Sequence, residues 1–75
     1  MTRMPALKPR EVIAILEKAG YYIDHTTGSH YIMRHPDRPQ RIPVPYHTKD
    51  TKRGVLRSII KQSGLTQEEF LSLRR

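Results

Sequence analysis

The apolar residues of this 75-residue chain change their period at Gly20, and that change restricts the fold more than any other feature. Before it, Val12, Ile13, Ile15, Leu16 and Ala19 recur at helical spacing, leaving Arg10, Glu11, Glu17 and Lys18 to solvent. Pro9 suits a first helical turn and Gly20 a C-terminal cap, so a helix is expected over Pro9 to Ala19. After Gly20 the residues are aromatic and β-branched. Tyr21 to Thr26 and Ser29 to Arg34 read as strands joined at Thr27-Gly28, where Gly28 could take a positive φ. A third strand is expected over Arg41 to Pro45, after a polar connection Pro36-Asp37-Arg38-Pro39.

Helical spacing returns with Val55, Leu56, Ile59 and Ile60, which predicts a second helix from Lys52 or Arg53 to Ser63, capped by Gly64. Thr66-Gln67-Glu68-Glu69 is a capping-box pattern ahead of Phe70, Leu71 and Leu73. A short C-terminal helix is therefore expected within residues 66–75, either docked, frayed or used against a partner. Residues 1–7 read as a flexible lead. The expectation is one α+β domain over 1–75, α-β-β-β-α with a three-stranded antiparallel sheet covered on one face. Alternation points Tyr21, Ile23, Tyr31, Met33, Ile42 and Val44 inward, and His30, Ile32 and Arg34 outward.

Charge narrows the partners. Fourteen Lys and Arg against seven Asp and Glu give a formal +7, which draws polyanions over a Debye length of about 8–10 Å. RNA, DNA and an acidic protein all fit. With no cysteine there is no disulfide, and a reducing compartment is expected. Residues 1–9 do not resemble a secretory signal, and no run approaches the roughly 20 apolar residues of a membrane span. The expected home is the cytoplasm. The four histidines lack metal-ligand spacing, so no metal and no cofactor are expected.

His30 is the candidate catalytic group. A neutral imidazole, whose ordinary pKa is about 6.5, can take the proton of an RNA 2′-hydroxyl as that oxygen attacks phosphorus. Cations nearby would stabilise the charge that builds on the phosphoryl oxygens. Arg34 is expected on the same face at about 7 Å, with Arg41 and Lys49 converging from the next strand and loop. Ser29 and Tyr31 could orient the imidazole, although alternation turns both away from it. Arg53 and Arg57, four apart on one helical face, could follow a nucleic-acid backbone, and Tyr22 and Tyr46 could stack on bases. His47 is a candidate acid, base or supporting group. The plain alternative for each is a solvated surface residue without chemistry, as a lone strand histidine usually is.

Three blocks carry a family resemblance: Gly28-Ser29-His30 followed by Arg34-His35-Pro36; Ile42-Pro43-Val44-Pro45-Tyr46-His47; and Lys52-Arg53-Gly54-Val55-Leu56-Arg57-Ser58-Ile59-Ile60. In this order and spacing the chain resembles HicA-type (YcfA-like) toxins from the first helix through Leu65. The resemblance implies a fold similar to double-stranded-RNA-binding domains and an mRNA interferase, a ribosome-independent endoribonuclease. It further implies neutralisation by a HicB-type antitoxin. By the family motif the catalytic histidine falls on His30 and the turn glycine on Gly28, and His47 matches a histidine often found after the third strand. Gly54-Val55 departs from the Gly-Thr of many members, which removes a hydroxyl near the helix start. DNA contact is expected only through a toxin–antitoxin complex, and homodimerisation through the extra C-terminal turns stays open. The competing readings are a non-catalytic RNA-binding module and a component of a DNA-binding repressor complex.

Overall fold

The computed structural model describes residues 4–74, in the order α1 (Pro9–Lys18), β1 (Tyr22–Thr26), β2 (His30–His35), β3 (Arg38–Pro45), α2 (Arg53–Ser63) and α3 (Gln67–Ser72). The three strands form an antiparallel meander in the order β1-β2-β3. Both long helices cover one face. Val12, Ile13, Ile15 and Leu16 of α1 meet Met33, Ile42 and Val44 of the sheet and Leu56, Ile59 and Ile60 of α2 in one buried cluster. Each such side chain contributes about 1.5–3 kcal/mol when fully removed from water. The expected α+β layout holds.

Glycine ends both long helices as the sequence suggests. Gly20 has φ +100° after α1, and Gly64 has φ +79° at the end of α2, a left-handed geometry that a side chain would strain. Tyr21 is buried and its hydroxyl donates to the Ser63 carbonyl at 3.2 Å, fastening the end of α2 to the start of the sheet. The α3 capping box forms in full: the Glu69 N–H donates to Thr66 Oγ1 and the Thr66 N–H to the Glu69 carboxylate. Phe70 is fully buried, so α3 is docked rather than frayed. At α2 the cap is Lys52, ahead of Gly54, and it makes no side-chain capping bond.

Several expectations need correction. The lead is not loose where it is described: Leu7 is fully buried and its carbonyl accepts the Thr51 N–H at 2.8 Å. Residues 1–3 of that expected lead lie outside the described residues. The third strand starts at Arg38, not Arg41, because Pro36 and Asp37 alone make the turn and Arg38 pairs with His35. Ile23 faces the core side, opposite Met33, yet stays 41 % exposed, because β1 is an edge strand with a bulge at Asp24. Tyr31, on the central strand, is half-buried with its ring against Tyr46. Gly28 has no positive φ; residues 27–29 form a three-residue connection that Thr27 closes with its own hydroxyl.

Candidate active site

The turn at residues 27–29 is the most heavily cross-bonded loop of the described chain. The Thr27 N–H donates to the His30 carbonyl at 2.8 Å, and the His30 N–H donates to Thr27 Oγ1 at 3.1 Å. Threonine favours such local bonds in turns because its short hydroxyl reaches the backbone three residues on. The segment leaving β3 then closes over the turn. The Tyr46 N–H donates to the Ser29 carbonyl at 3.2 Å, and its hydroxyl reaches the Thr27 and Gly28 carbonyls at 3.3 and 3.4 Å. His47 Nε2 lies 2.7 Å from the Gly28 carbonyl. A carbonyl only accepts, so this contact requires the proton on Nε2. Tyr31, Tyr46 and His47 stack in a row, with ring centroids 4.4 and 4.5 Å apart.

His30 opens β2 directly after this turn and points to the uncovered face, opposite Pro45. Its ring is half-exposed, and Ser29 Oγ lies 2.9 Å from Nδ1. Alternation had turned Ser29 away from the imidazole. That expectation fails because Ser29 belongs to the turn, where the two-residue period of a strand does not apply. With Nδ1 engaged by the hydroxyl, Nε2 is the ring nitrogen left for other contacts.

The cations named from the sequence divide into three places. Arg34 follows Met33 and Arg41 precedes Ile42, so both stand on the open face with His30, and Tyr22 joins them opposite Arg34. Arg34 is four residues from His30, however, which puts it about 13 Å along the strand, not the 7 Å of one alternation step. Lys49 lies elsewhere, in a cleft on the covered side with Lys8 and Arg10. Arg53 and Arg57 are exposed on α2, which packs in the helix layer, so they are not gathered with His30. Tyr46 is half-buried as a clamp on the turn rather than an open stacking platform.

Sequence reasoning placed Thr27 in the turn but missed its hydroxyl bond to His30, and it missed the Tyr46–His47 clamp, whose partners lie 18 and 19 residues away. The only local signal was a Thr three residues before a His, which is the spacing of a hydroxyl-closed turn. No three His, Asp or Glu side chains converge among the described residues.

With the turn, its histidine and the open face in place, the comparison with known proteins is decisive. The family model of the HicA toxin of bacterial toxin–antitoxin systems matches residues 9–65. The chain belongs to the HicA toxin family. No curated protein matches it significantly. The match starts at the first residue of α1 and ends just past the cap of α2, and it includes every strand and the turn before His30. It omits Leu7 and Phe70, both fully buried, so this HicA chain completes its core with residues on either side of the matched region. As a HicA toxin it is one member of a toxin–antitoxin pair, and its natural protein partner is an antitoxin. No helix among the described residues is long and apolar enough to cross a membrane.

Proposed function

We propose that this HicA toxin is an endoribonuclease that cleaves mRNA without a metal, with His30 as general base. The observation that carries the reading is the His30 imidazole. It is half-exposed on the open face, held at Nδ1 by Ser29, and mounted on a turn clamped by Tyr46 and His47. In the tautomer whose Nδ1–H donates to Ser29 Oγ, Nε2 carries the lone pair that a base needs. Nε2 takes the 2′-hydroxyl proton, the 2′-oxygen bonds to phosphorus, and the bond from phosphorus to the 5′-oxygen breaks. The products are a 2′,3′-cyclic phosphate and a 5′-hydroxyl, the latter taking its proton from water or from the imidazolium.

His47 serves this reaction as a positioning residue, since its Nε2 proton is committed to Gly28. Arg34, Arg41 and Tyr22 hold the RNA farther along the open face, while Arg53, Arg57 and Lys49 add to the general attraction of the chain for RNA. The same reading puts the protein in the cytoplasm with its mRNA. A HicB-type antitoxin neutralises it, and it meets DNA only within that complex. The distance of about 13 Å from His30 to Arg34 favours one second reading, an open face that binds RNA without cutting it.

The test is gel analysis of a structured RNA with wild type and His30→Ala, both in excess EDTA, with folding followed by circular dichroism. Cleavage is expected to fall about 10²–10⁴-fold in the variant. Equal cleavage by a folded His30→Ala protein removes His30 from the mechanism. Binding without cleavage by either protein moves the conclusion to the second reading.

A further inference from the structure

A cleft of about 470 Å³ opens beside the start of α1, on the side of the sheet away from His30. Pro9, Ile13, Ile23, Tyr31 and Tyr46 supply its apolar walls, and Lys8, Arg10 and Lys49 its charge. Among the described residues no carboxylate lines it. We propose that this cleft is the antitoxin docking site, and that it takes an extended acidic segment carrying one bulky apolar side chain. The proposal rests on the toxin–antitoxin pairing of the family and is independent of the His30 chemistry.

Three observations select this occupant. Apolar walls beneath three cations complement a side chain anchored between carboxylates, and such charge complementarity speeds capture and discriminates against wrong partners. Ile23 lines the cleft and also belongs to β1, the free edge of the sheet, which is exposed along its whole length. The opposite edge strand, β3, carries Pro39, Pro43 and Pro45, which lack the N–H an added strand would need. An incoming extended segment therefore finds backbone partners along β1 and an apolar recess beside it. A second copy of the chain is a poor occupant, since it would bring like charge against Lys8, Arg10 and Lys49. RNA engaged at His30 is also a poor fit: it would have to pass around the sheet end, over the clamped turn, to reach the cleft.

The decisive experiment measures affinity for the antitoxin expressed with this toxin, by calorimetry or biolayer interferometry, for wild type, Ile23→Asp, Arg10→Glu and Lys61→Glu. Ile23 is already partly exposed, and an acid in the first turn of α1 suits the helix dipole, so both cleft variants are expected to fold. Circular dichroism checks this. Antitoxin affinity should fall about tenfold or more in each cleft variant, equivalent to about 1.4 kcal/mol, and should stay within about twofold for exposed Lys61→Glu. RNA affinity of the free toxin, read by fluorescence anisotropy, should not follow Ile23→Asp. Antitoxin affinity unchanged in folded Arg10→Glu and Ile23→Asp overturns the proposal. Loss of RNA affinity in place of antitoxin affinity also overturns it, and makes nucleic acid the occupant.

Discussion

Met33 and His30 stand three residues apart on β2 and occupy opposite environments. Met33 is fully buried against both long helices and pairs with Ile42; His30 is half-exposed, pairs with Pro45 and touches only its own turn neighbour Ser29 through its ring nitrogens. One strand thus divides its labour by alternation. The covered face supplies the burial that holds the fold, and the open face carries the polar and cationic groups with little packing to lose. Because the period is two, a slip of one residue would exchange the two sets, so the buried residues also fix where His30 points. The two faces should therefore separate cleanly under substitution.

The largest effect is expected on the covered side. Phe70 is fully buried, lies outside the matched family region and closes the core from α3. Phe70→Ala should cost about 3–5 kcal/mol, measured by urea denaturation, out of a total of roughly 4–11 kcal/mol for a domain of this length. Cleavage per folded molecule should stay near wild type at a temperature where the variant is folded. A loss below about 1 kcal/mol would mean that α3 is not part of the cooperative unit. His30→Ala is the reciprocal case, with activity lost and the denaturation midpoint unmoved. If His30→Ala lowered stability as much as activity, the division between faces would fail.

A smaller effect is expected where the two faces meet, at the sheet end. His47→Ala removes the donor to the Gly28 carbonyl and should cost about 0.5–1.5 kcal/mol. It should also lower the cleavage rate about tenfold, because that loss of turn geometry falls on the transition state. His47→Gln keeps an N–H at similar reach and should recover most of both. Rescue by glutamine separates a positioning role from acid–base chemistry, since an amide does not titrate. A glutamine variant as inactive as the alanine variant would return His47 to the list of proton carriers.

The legibility of the sequence follows the same division. Helical period and capping glycines located α1 and α2, and alternation turned Met33, Ile42 and Val44 inward and His30 outward, because burial imposes a repeating pattern along each element. Leu7 escaped notice because a single large apolar residue between Pro5 and Pro9 has no period to read. Ile23 misled because a bulge on an edge strand leaves its side chain unroofed even on the core side. The contact of Ser29 with His30 was hidden by assigning Ser29 to a strand, and the start of β3 by reading Pro39 as loop. The cleft was invisible for a different reason: its walls come from α1, β1, β2 and the segment after β3, and no local pattern joins them.

The smallest effect is electrostatic and belongs wholly to the helix layer. The Glu11 carboxylate accepts the Lys8 N–H at 2.8 Å and sits 3.7 Å from Arg74 across to the C-terminal turn. The backbone bond from Lys8, chiefly, and the Arg74 charge hold its pKa below the ordinary value of 4.5. A carboxyl whose folded pKa is depressed binds its proton more readily when unfolded. Its contribution is therefore present above the ordinary value and is lost as pH falls through the lowered one. Glu11→Gln keeps an acceptor for Lys8 and removes only the charge. The melting temperature of wild type should exceed that of the variant slightly at neutral pH, with the difference closing below pH 4.5. Across the neutral range the pH profile of cleavage should be the same in both proteins, since Glu11 is on α1 and His30 on the uncovered face. A cleavage profile that moved with Glu11→Gln would show that charge in the helix layer reaches the open face, and would end the separation argued from Met33 and His30.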